Sequence, residues 1–376
     1  MKLAFYAPMK SPRHPVPSGD RRMGRLLWRA LEQAGFDPIL ASEHRSFNKT
    51  GDSVYYLNSQ KAGTTEANRL VETWSAYPLE APKGWFTYHV YHKAPDWIGP
   101  EVCRQLDIPY FIAEASHAPK RSNGPWQFGY EAAETAIRFA DRVFHMTALD
   151  GACLQPLLTD PGRLVFLPPF LDKDAFFNDA NASFDAAARI KAAGGQSGKL
   201  NLLSVAMMRD GDKLASYKQL SRALAHLKTR DWQLLIIGDG DQRSAIESLM
   251  SPFGDKIVYL GVVDPTDLPA FYKAVDLYVW PAHGEAYGMA FLEAAACGLP
   301  VVAGNVRGVP DVVKNGKTGL LTAEGDMNAF AAAIDQLLKD SSSRVRMSEA
   351  ARQFIENERD LTPAADLLKK NIEAVF

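Results

Sequence analysis

Short runs that are apolar from end to end recur along this chain, and segments with helical spacing lie between them. Leu3–Ala7, Trp85–Tyr91, Tyr110–Ala113, Arg142–Met146 and Leu164–Leu167 form a first series. Leu202–Ala206, Leu234–Ile237, Ile257–Leu260, Leu277–Trp280 and Pro300–Ala303 form a second. A strand with one wet face alternates polar and apolar residues, so strands that do not alternate must be covered on both faces. The intervening helical patterns include Arg21–Ala34, Tyr130–Ala140, Tyr217–Leu227, Leu268–Lys273 and Met289–Ala296. This alternation predicts an α/β architecture of doubly wound, Rossmann-like parallel sheets. A chain of 376 residues exceeds one ordinary core and fits two domains of roughly 150–200 residues. The stretch Asn178–Lys199, rich in Ala, Asn, Asp, Gly and Ser, reads as their connection, with a short helix at Phe184–Ala193. The expected organisation is thus residues 1–177, a connection at 178–199, a second domain at 200–341 and a helical tail at 342–376.

Composition narrows the function classes. A formal charge of -2 gives no field to attract nucleic acid. The three cysteines, Cys103, Cys153 and Cys297, are odd in number and far apart. They form neither a disulfide framework nor a metal cluster, and point to a reducing, cytoplasmic compartment. The opening apolar run stops at Pro8, too soon for a secretory signal, so a buried first strand is expected there. No stretch of 18 consecutive apolar residues occurs, so no membrane span is expected, although contact with a membrane surface stays open.

The chemistry concentrates after Trp280. Glu285 and Gly288 lie in a loop, a helix follows to Ala296, and Gly298 ends it before the strand from Pro300. Eight residues separate Glu285 from Glu293, slightly over two helical turns, so both carboxylates fall on one side of the helix. A helix entrance offers free N–H groups and a positive dipole end, suited to phosphate. Gly288 lets a ligand approach the backbone closely. Taken alone, such a Glu pair reads first as an acidic first turn plus a solvated face.

The setting is more specific. Trp280–Ala303 resembles the Glu-x7-Glu signature of the retaining nucleotide-sugar transferases of glycosyltransferase family 4, which have the GT-B fold. Gly304–Leu321 and Leu260–Pro281 resemble that family's neighbouring motifs. The resemblance runs from about Asn201 to Leu337 and implies two Rossmann-like domains facing across a cleft, the first on the acceptor side and the second holding the donor. It implies a metal-independent hexosyl transfer from a UDP or GDP sugar to a saccharide or lipid-linked acceptor, in surface polysaccharide or glycolipid synthesis. It further implies that Glu293 holds the ribose and Glu285 the sugar hydroxyls. The backbone of Ala286, Tyr287 and Gly288 would meet the sugar and diphosphate, and Gly261 and Val262 would border the base. Arg209 and Lys213 resemble the family's cation pair for the diphosphate, with Lys218 competing for the place of Lys213. An epimerase or hydrolase on the same fold, or a non-catalytic sugar-nucleotide-binding protein, are the other readings.

Two Asp-Gly-Asp triplets, Asp210–Asp212 and Asp239–Asp241, occupy turn positions where this pair is common for conformational reasons. The second opens like a dinucleotide fingerprint but has Arg243 where the third glycine belongs, so neither metal nor nicotinamide is expected. In the first half, Ser18 and Gly19 precede a helix and could present N–H groups to a phosphate, which makes Gly19 a donor-binding candidate. Arg21, Arg25 and Arg29 form one stripe of that helix, either a solvated face or a contact for an anionic acceptor or lipid surface. By the same resemblance, Glu114 and His117 compete for a place near the reacting sugar carbon, with His92 as a third candidate.

Overall fold

The chain crosses between two compact units twice. In this computed structural model, which describes residues 1–16, 18–177 and 184–376, one unit comprises Met1–Pro168 with Leu361–Phe376 and the other Pro169–Asp360. The expected tail therefore divides: residues 342–360 stay with the second unit, and the last helix returns to the first. The expected connection at 178–199 lies partly outside the described residues, at 178–183; its later part holds a short helix, Ala186–Ala192.

Unit 1 runs β1 (Lys2–Tyr6), α1 (Gly19–Gln33), β2 (Asp37–Leu40), α2 (Ser53–Ala76), β3 (Gly84–Val90) and α3 (Gly99–Leu106). It continues with β4 (Tyr110–Ala115), α4 (Gln127–Phe139), β5 (Arg142–His145), α5 (Ala148–Leu154) and β6 (Leu164–Phe166). Unit 2 begins with α6 (Asp174–Phe177) and α7 (Ala186–Ala192), then β7 (Leu200–Val205), α8 (Asp212–Ala225), β8 (Trp232–Ile237), α9 (Arg243–Met250) and β9 (Ile257–Gly261). There follow α10 (Leu268–Lys273), β10 (Leu277–Trp280), α11 (Met289–Ala296), β11 (Val301–Asn305), α12 (Val309–Val312) and β12 (Gly319–Ala323). Helices α13 (Met327–Lys339) and α14 (Ser341–Phe354) complete unit 2, and α15 (Leu361–Glu373) completes unit 1.

Each unit is built on one six-stranded sheet, ordered β2-β1-β3-β4-β5-β6 and β12-β11-β10-β7-β8-β9. Every strand pair in both is parallel. All six residues of β4 and all six of β8 are buried, as the apolar runs require of strands covered on both faces. In unit 1 the order reverses at β1/β3, and in unit 2 at β7/β10. Helices leave such a pair of neighbouring strands toward opposite faces, so a crevice opens at their C-terminal ends.

Two strands and a long helix are invisible to the apolar pattern. Strand β2 is short and sits at the sheet edge, as does β12, whose residues are mostly half-buried. Helix α2 buries Tyr56, Ser59, Gly63, Ala67, Leu70 and Trp74, a stripe whose middle is made of small residues rather than large apolar ones. A Cβ on Gly63 would fall 2.5 Å from Trp97 Cβ, so close packing, not hydrophobicity, selects that stripe.

Helix α15 buries Leu361, Ala364, Ala365, Leu368 and Ile372 and packs on α1, where Gln33 Nε2 donates to Thr362 Oγ1 at 2.8 Å. The Phe376 ring lies against Phe111, with centroids 6.4 Å apart. Leu368 is wholly buried, so Leu368→Ala should cost about 2–5 kcal/mol. Hydrogen exchange is expected to lose protection in β1, α1 and β3 of the variant while β7, β8 and β10 keep theirs.

Candidate functional site

In unit 2 the loops that follow β7 and β10 meet at the switch point. They enclose a pocket of about 300 Å³ lined by Arg209, Asp210, Asp212, Lys213, His283, Gly284 and Glu285. Lys213, in the first turn of α8, is half-buried and donates to Glu285 Oε2 at 2.5 Å, while its ammonium lies 5.6 Å from the centre of the Trp280 ring. Lys218 is exposed further along α8 and does not line the pocket. The Lys213–Glu285 pair keeps about a fifth of each side chain in water. Such a pair adds little stability, and its consequence is placement: a cation and a carboxylate held together at the crevice.

The loops are fixed by glycines. Gly284 has φ +65, and a Cβ on it would lie 2.4 Å from Asp212 Cγ. Gly288 has φ +78, and a Cβ there would meet the Phe291 ring at 2.7 Å and Glu285 Cγ at 3.2 Å. The second Asp-Gly-Asp loop packs on the loop that carries Arg209: Met208 N donates to Asp239 O and Gln242 N to Met208 O, both at 2.9 Å. There a Cβ on Gly238 would sit 2.0 Å from Ala206 O, and one on Gly240 2.2 Å from Met208 O. The glycines that imitate a dinucleotide fingerprint thus serve to brace Arg209.

Glu293 occupies the second turn of α11 with only 5% of its surface exposed, and the Tyr272 hydroxyl of α10 donates to its Oε2 at 2.9 Å. Burial raises the pKa of Tyr278, and Glu293 and Glu285 raise it further, so both carboxylates of the Glu pair act on one buried ring. Glu285 itself precedes the helix, which begins at Met289. Ala286 O accepts from Gly308 N at 2.8 Å, and Tyr287 is buried. Gly261 has φ +69 and open space about it, while Val262 is 79% exposed. Among the described residues no group of three or more His, Cys, Asp or Glu side chains is arranged to hold a metal. A larger groove of about 620 Å³, beside Lys314, Thr318 and Phe354, contains none of the expected residues.

In unit 1 the Ser18 hydroxyl caps α1 by accepting from Arg21 N at 3.2 Å. Gly19 follows with nothing within 4 Å of its Cβ position. Two of the three stripe arginines are spent on their own loop: Arg21 Nη1 donates to His14 O and Pro15 O at 2.9 Å, and Arg25 Nε to Pro12 O at 2.8 Å. His117 is taken up by α4, with Nε2 2.6 Å from the Tyr130 hydroxyl and 3.3 Å from Glu134 Oε2. His92 packs its ring against Trp126. Burial pushes its pKa down to about 4, helped by Arg121 and Lys93.

Glu114 differs from both. It lies near the end of β4, buried, with φ +58, and its Oε1 is 3.9 Å from His89 Nδ1. His89, near the end of β3 with φ +66, also meets Asp20 Oδ1 at 3.1 Å. Left-handed backbone at a non-glycine costs about 1–3 kcal/mol and collects at functional positions. Burial alone would lower the His89 pKa, but Glu114 and then Asp20 outweigh it and raise it from 6.5 to about 9. The stability this proton supplies is therefore complete below pH 6.5 and lost as pH rises through about 9. In Tyr88-His-Val-Tyr-His the sequence pattern singles out His92 and not His89. The signal was Asp20, an acid in the first turn of α1, because it gives a nearby histidine a partner.

Residues 201–354 match the family model described as glycosyl transferases group 1. A GDP-mannose-dependent alpha-(1-6)-phosphatidylinositol monomannoside mannosyltransferase of Mycolicibacterium smegmatis is 32% identical over 204 residues, 51% of this chain and 51% of that protein. A sulfoquinovosyl transferase of Arabidopsis thaliana is 26% identical over 267 residues, 68% of this chain and 50% of that protein. The chain thus spans about half the length of these curated relatives. Sucrose-phosphate synthase from Thermosynechococcus elongatus superposes with TM-score 0.72 at 20% identity, over 100% of this chain and 99% of that one. Anabaena Alr3699/HepE in complex with UDP gives 0.72 at 15%, over all of both chains. These likenesses establish the α/β fold class over the whole chain.

Replacing a bracing glycine separates close approach from mere composition. Gly238→Ala, strained in φ and in collision with Ala206 O, should lower unfolding stability by about 2 kcal/mol or more. Gly19→Ala, with open space, should change it by no more than about 0.5 kcal/mol in the same urea titration.

Proposed function

We propose that this chain, whose residues 201–354 match the family model described as glycosyl transferases group 1, is a retaining glycosyltransferase of that family. It moves a hexose from a UDP or GDP sugar to a saccharide or lipid-linked acceptor. The observation that carries this reading is the pocket at the β7/β10 switch point, where Arg209 and Lys213 share a wall with Glu285 and Glu293 lies on the helix behind.

The roles follow from charge. A diphosphate gains negative charge as its bond to the sugar breaks, and Arg209 and Lys213 are cations already fixed where that charge grows. They do what a divalent ion would otherwise do, so the reading includes no metal and no cofactor. In the free protein Glu285 holds Lys213 in place; with donor bound, Lys213 turns to the phosphate and Glu285 accepts hydrogen bonds from the sugar hydroxyls. Glu293, oriented by Tyr272, accepts from the ribose. Backbone N–H groups at 286–288 meet the sugar and diphosphate, and Gly261 and Val262 border the base. The acceptor hydroxyl attacks from the side on which the diphosphate leaves, which keeps the anomeric configuration, and the departing phosphate oxygen takes its proton. Of the unit 1 candidates, His117 is occupied by α4.

The Mycolicibacterium relative's name gives it GDP-mannose as donor and a phosphatidylinositol mannoside as acceptor, and the Anabaena structure contains UDP. Both support a nucleoside diphosphate here, and the first supports a lipid-linked acceptor in glycolipid or polysaccharide synthesis. No helix among the described residues is long and apolar enough to cross a membrane, so a lipid acceptor would be met at a membrane surface. Three free cysteines suit the cytoplasmic side.

Thermal-shift measurements against UDP, GDP and ADP, with and without magnesium, should show one series stabilising the protein equally in both conditions, by about 2.7 kcal/mol at a hundred times Kd. Glu293→Ala should weaken that nucleotide roughly 10- to 100-fold, the value of a hydrogen bond to a charged group. Lys213→Met should lower kcat for sugar transfer by about 10²-fold or more. No shift with any nucleotide would refute the reading.

A further inference from the structure

The loops that follow β2, β3 and β4 gather at the C-terminal edge of the unit 1 sheet, and they are fastened to one another. Asn48 N, after β2, donates to Lys93 O, after β3, at 2.8 Å. The Tyr56 hydroxyl of α2 donates to His92 O at 2.6 Å. A Cβ on Gly129 of α4 would fall 2.1 Å from His92 O, and one on Gly51 2.7 Å from Pro125 O. Trp126, at the end of the loop after β4, is buried. The His92 ring meets it edge-on with centroids 5.3 Å apart, and the Lys93 ammonium lies 5.0 Å from the centre of its indole. Lys120 and Arg121 belong to the same loop, in the short turn Pro119–Arg121.

Three positive charges thus converge on one neighbourhood. Arg121, Lys93 and Lys120 all act on the His92 ring, adding to its burial in pushing the pKa down to about 4. Among the described residues none of the three is paired with a carboxylate, whereas Lys173, Lys199, Arg104 and Arg138 each have one. Like charges gathered without a counter-ion repel one another, and an anion placed among them removes that cost. His92 stays neutral, and its Nε2 is buried without a hydrogen-bond partner, so packing has left polar capacity unused there. We infer that Lys93, Lys120 and Arg121 form an anion site that takes a phosphate group. A carboxylate would balance one of the three charges. A phosphate monoester brings about −1.5 to −2 at pH 7 and three acceptor oxygens, two of which suit the fork of Arg121.

That this phosphate is carried by the sugar acceptor rests on the transferase reading; the anion site itself does not. On that reading unit 1 selects a phosphorylated acceptor, and the phosphate anchors it while one of its hydroxyls reacts. The arginine stripe of α1 is a poorer anchor, because Arg21 and Arg25 already donate to carbonyls of their own loop. The three cations belong to unit 1, whereas Arg209 and Lys213 belong to unit 2, so mutation can separate the two sites. A soluble phosphate ester and the phosphate of a lipid headgroup present the same chemistry to such a site.

The test follows the Trp126 indole N–H in ¹H–¹⁵N spectra, with its signal identified by loss in Trp126→Phe. Inorganic phosphate should shift that signal saturably in the wild type and equally in Arg209→Ala. In the triple variant Lys93→Gln, Lys120→Gln, Arg121→Gln the apparent Kd should rise roughly 10-fold or more. No saturable shift in the wild type, or an unchanged Kd in the folded triple variant, would overturn the site. Glycerol phosphate and vesicles of phosphatidylcholine with phosphatidylglycerol then separate the sources. Competition by the soluble ester supports a soluble acceptor, and cosedimentation that the triple variant loses supports a lipid headgroup. Binding of inorganic phosphate that neither reproduces would mark an adventitious ion only, and the inference would fail. Phosphate-ester binding by a protein that binds no nucleotide would keep the anion site and remove the transferase reading. Nucleotide binding with no Trp126 response would do the reverse.

Discussion

A sheet whose strands all run parallel must be re-entered from the same end each time, so every loop that follows a strand collects along one edge. In unit 2 the chain builds β7, β8 and β9 outward in one direction, then returns to place β10 on the other side of β7. The helices after β7 and β10 leave toward opposite faces and cannot close the gap between those two strands. The candidate site depends on that reversal. Arg209 and Lys213 arrive on one lip and His283, Gly284 and Glu285 on the other, although more than 70 residues of chain lie between the two loops, as the 72-residue separation of Lys213 and Glu285 shows.

Topology makes the crevice, and close backbone packing makes it definite. Gly284 admits Asp212, and Gly238 and Gly240 admit the backbone of Ala206 and Met208; none of these approaches leaves room for a side chain. The Lys213–Glu285 pair then fixes one cation against the aromatic wall of Trp280. Because the pair stays partly in water, parting it for a ligand costs little. A fully buried pair would resist such an exchange by several kcal/mol. Glu293 is the opposite case, enclosed and oriented by Tyr272, as suits a group that recognises rather than moves. Unit 1 repeats the topological arrangement with other chemistry: its reversal at β1/β3 gathers Asp20 and His89 beside Glu114 on β4.

Much of this was legible in the sequence, for physical reasons. Strands buried on both faces leave apolar runs that need no partner to be recognised, and every run read as a strand became one of β1, β3–β11. What escaped was held by forces that leave no apolar trace. Strands β2 and β12 are edge elements with less to bury, and α2 is packed through Ser59, Gly63 and Ala67, small residues that carry no hydrophobic period. The arginine stripe of α1 was conspicuous, yet Arg21 and Arg25 turn inward to the carbonyls of Pro12, His14 and Pro15 in their own loop. The division of the last helices between units depends on long-range packing of Leu368 and Phe376, which spacing does not encode. Arg209, Lys213, Glu285 and Glu293 were all named from motif; the first three line one pocket, and Lys218 does not. His89 escaped because its role comes from two carboxyl groups distant in sequence.

We propose that the β7/β10 switch point holds a nucleoside diphosphate by fixed cations. The most direct test is a crystal structure of the protein with the nucleoside diphosphate it binds, grown with magnesium present. Diphosphate oxygens are expected within hydrogen-bond distance of Arg209 and Lys213, ribose hydroxyls on Glu293, and no ion between the phosphates and Asp210 or Asp212. A nucleotide lodged elsewhere, or one bridged to those aspartates through magnesium, would contradict it.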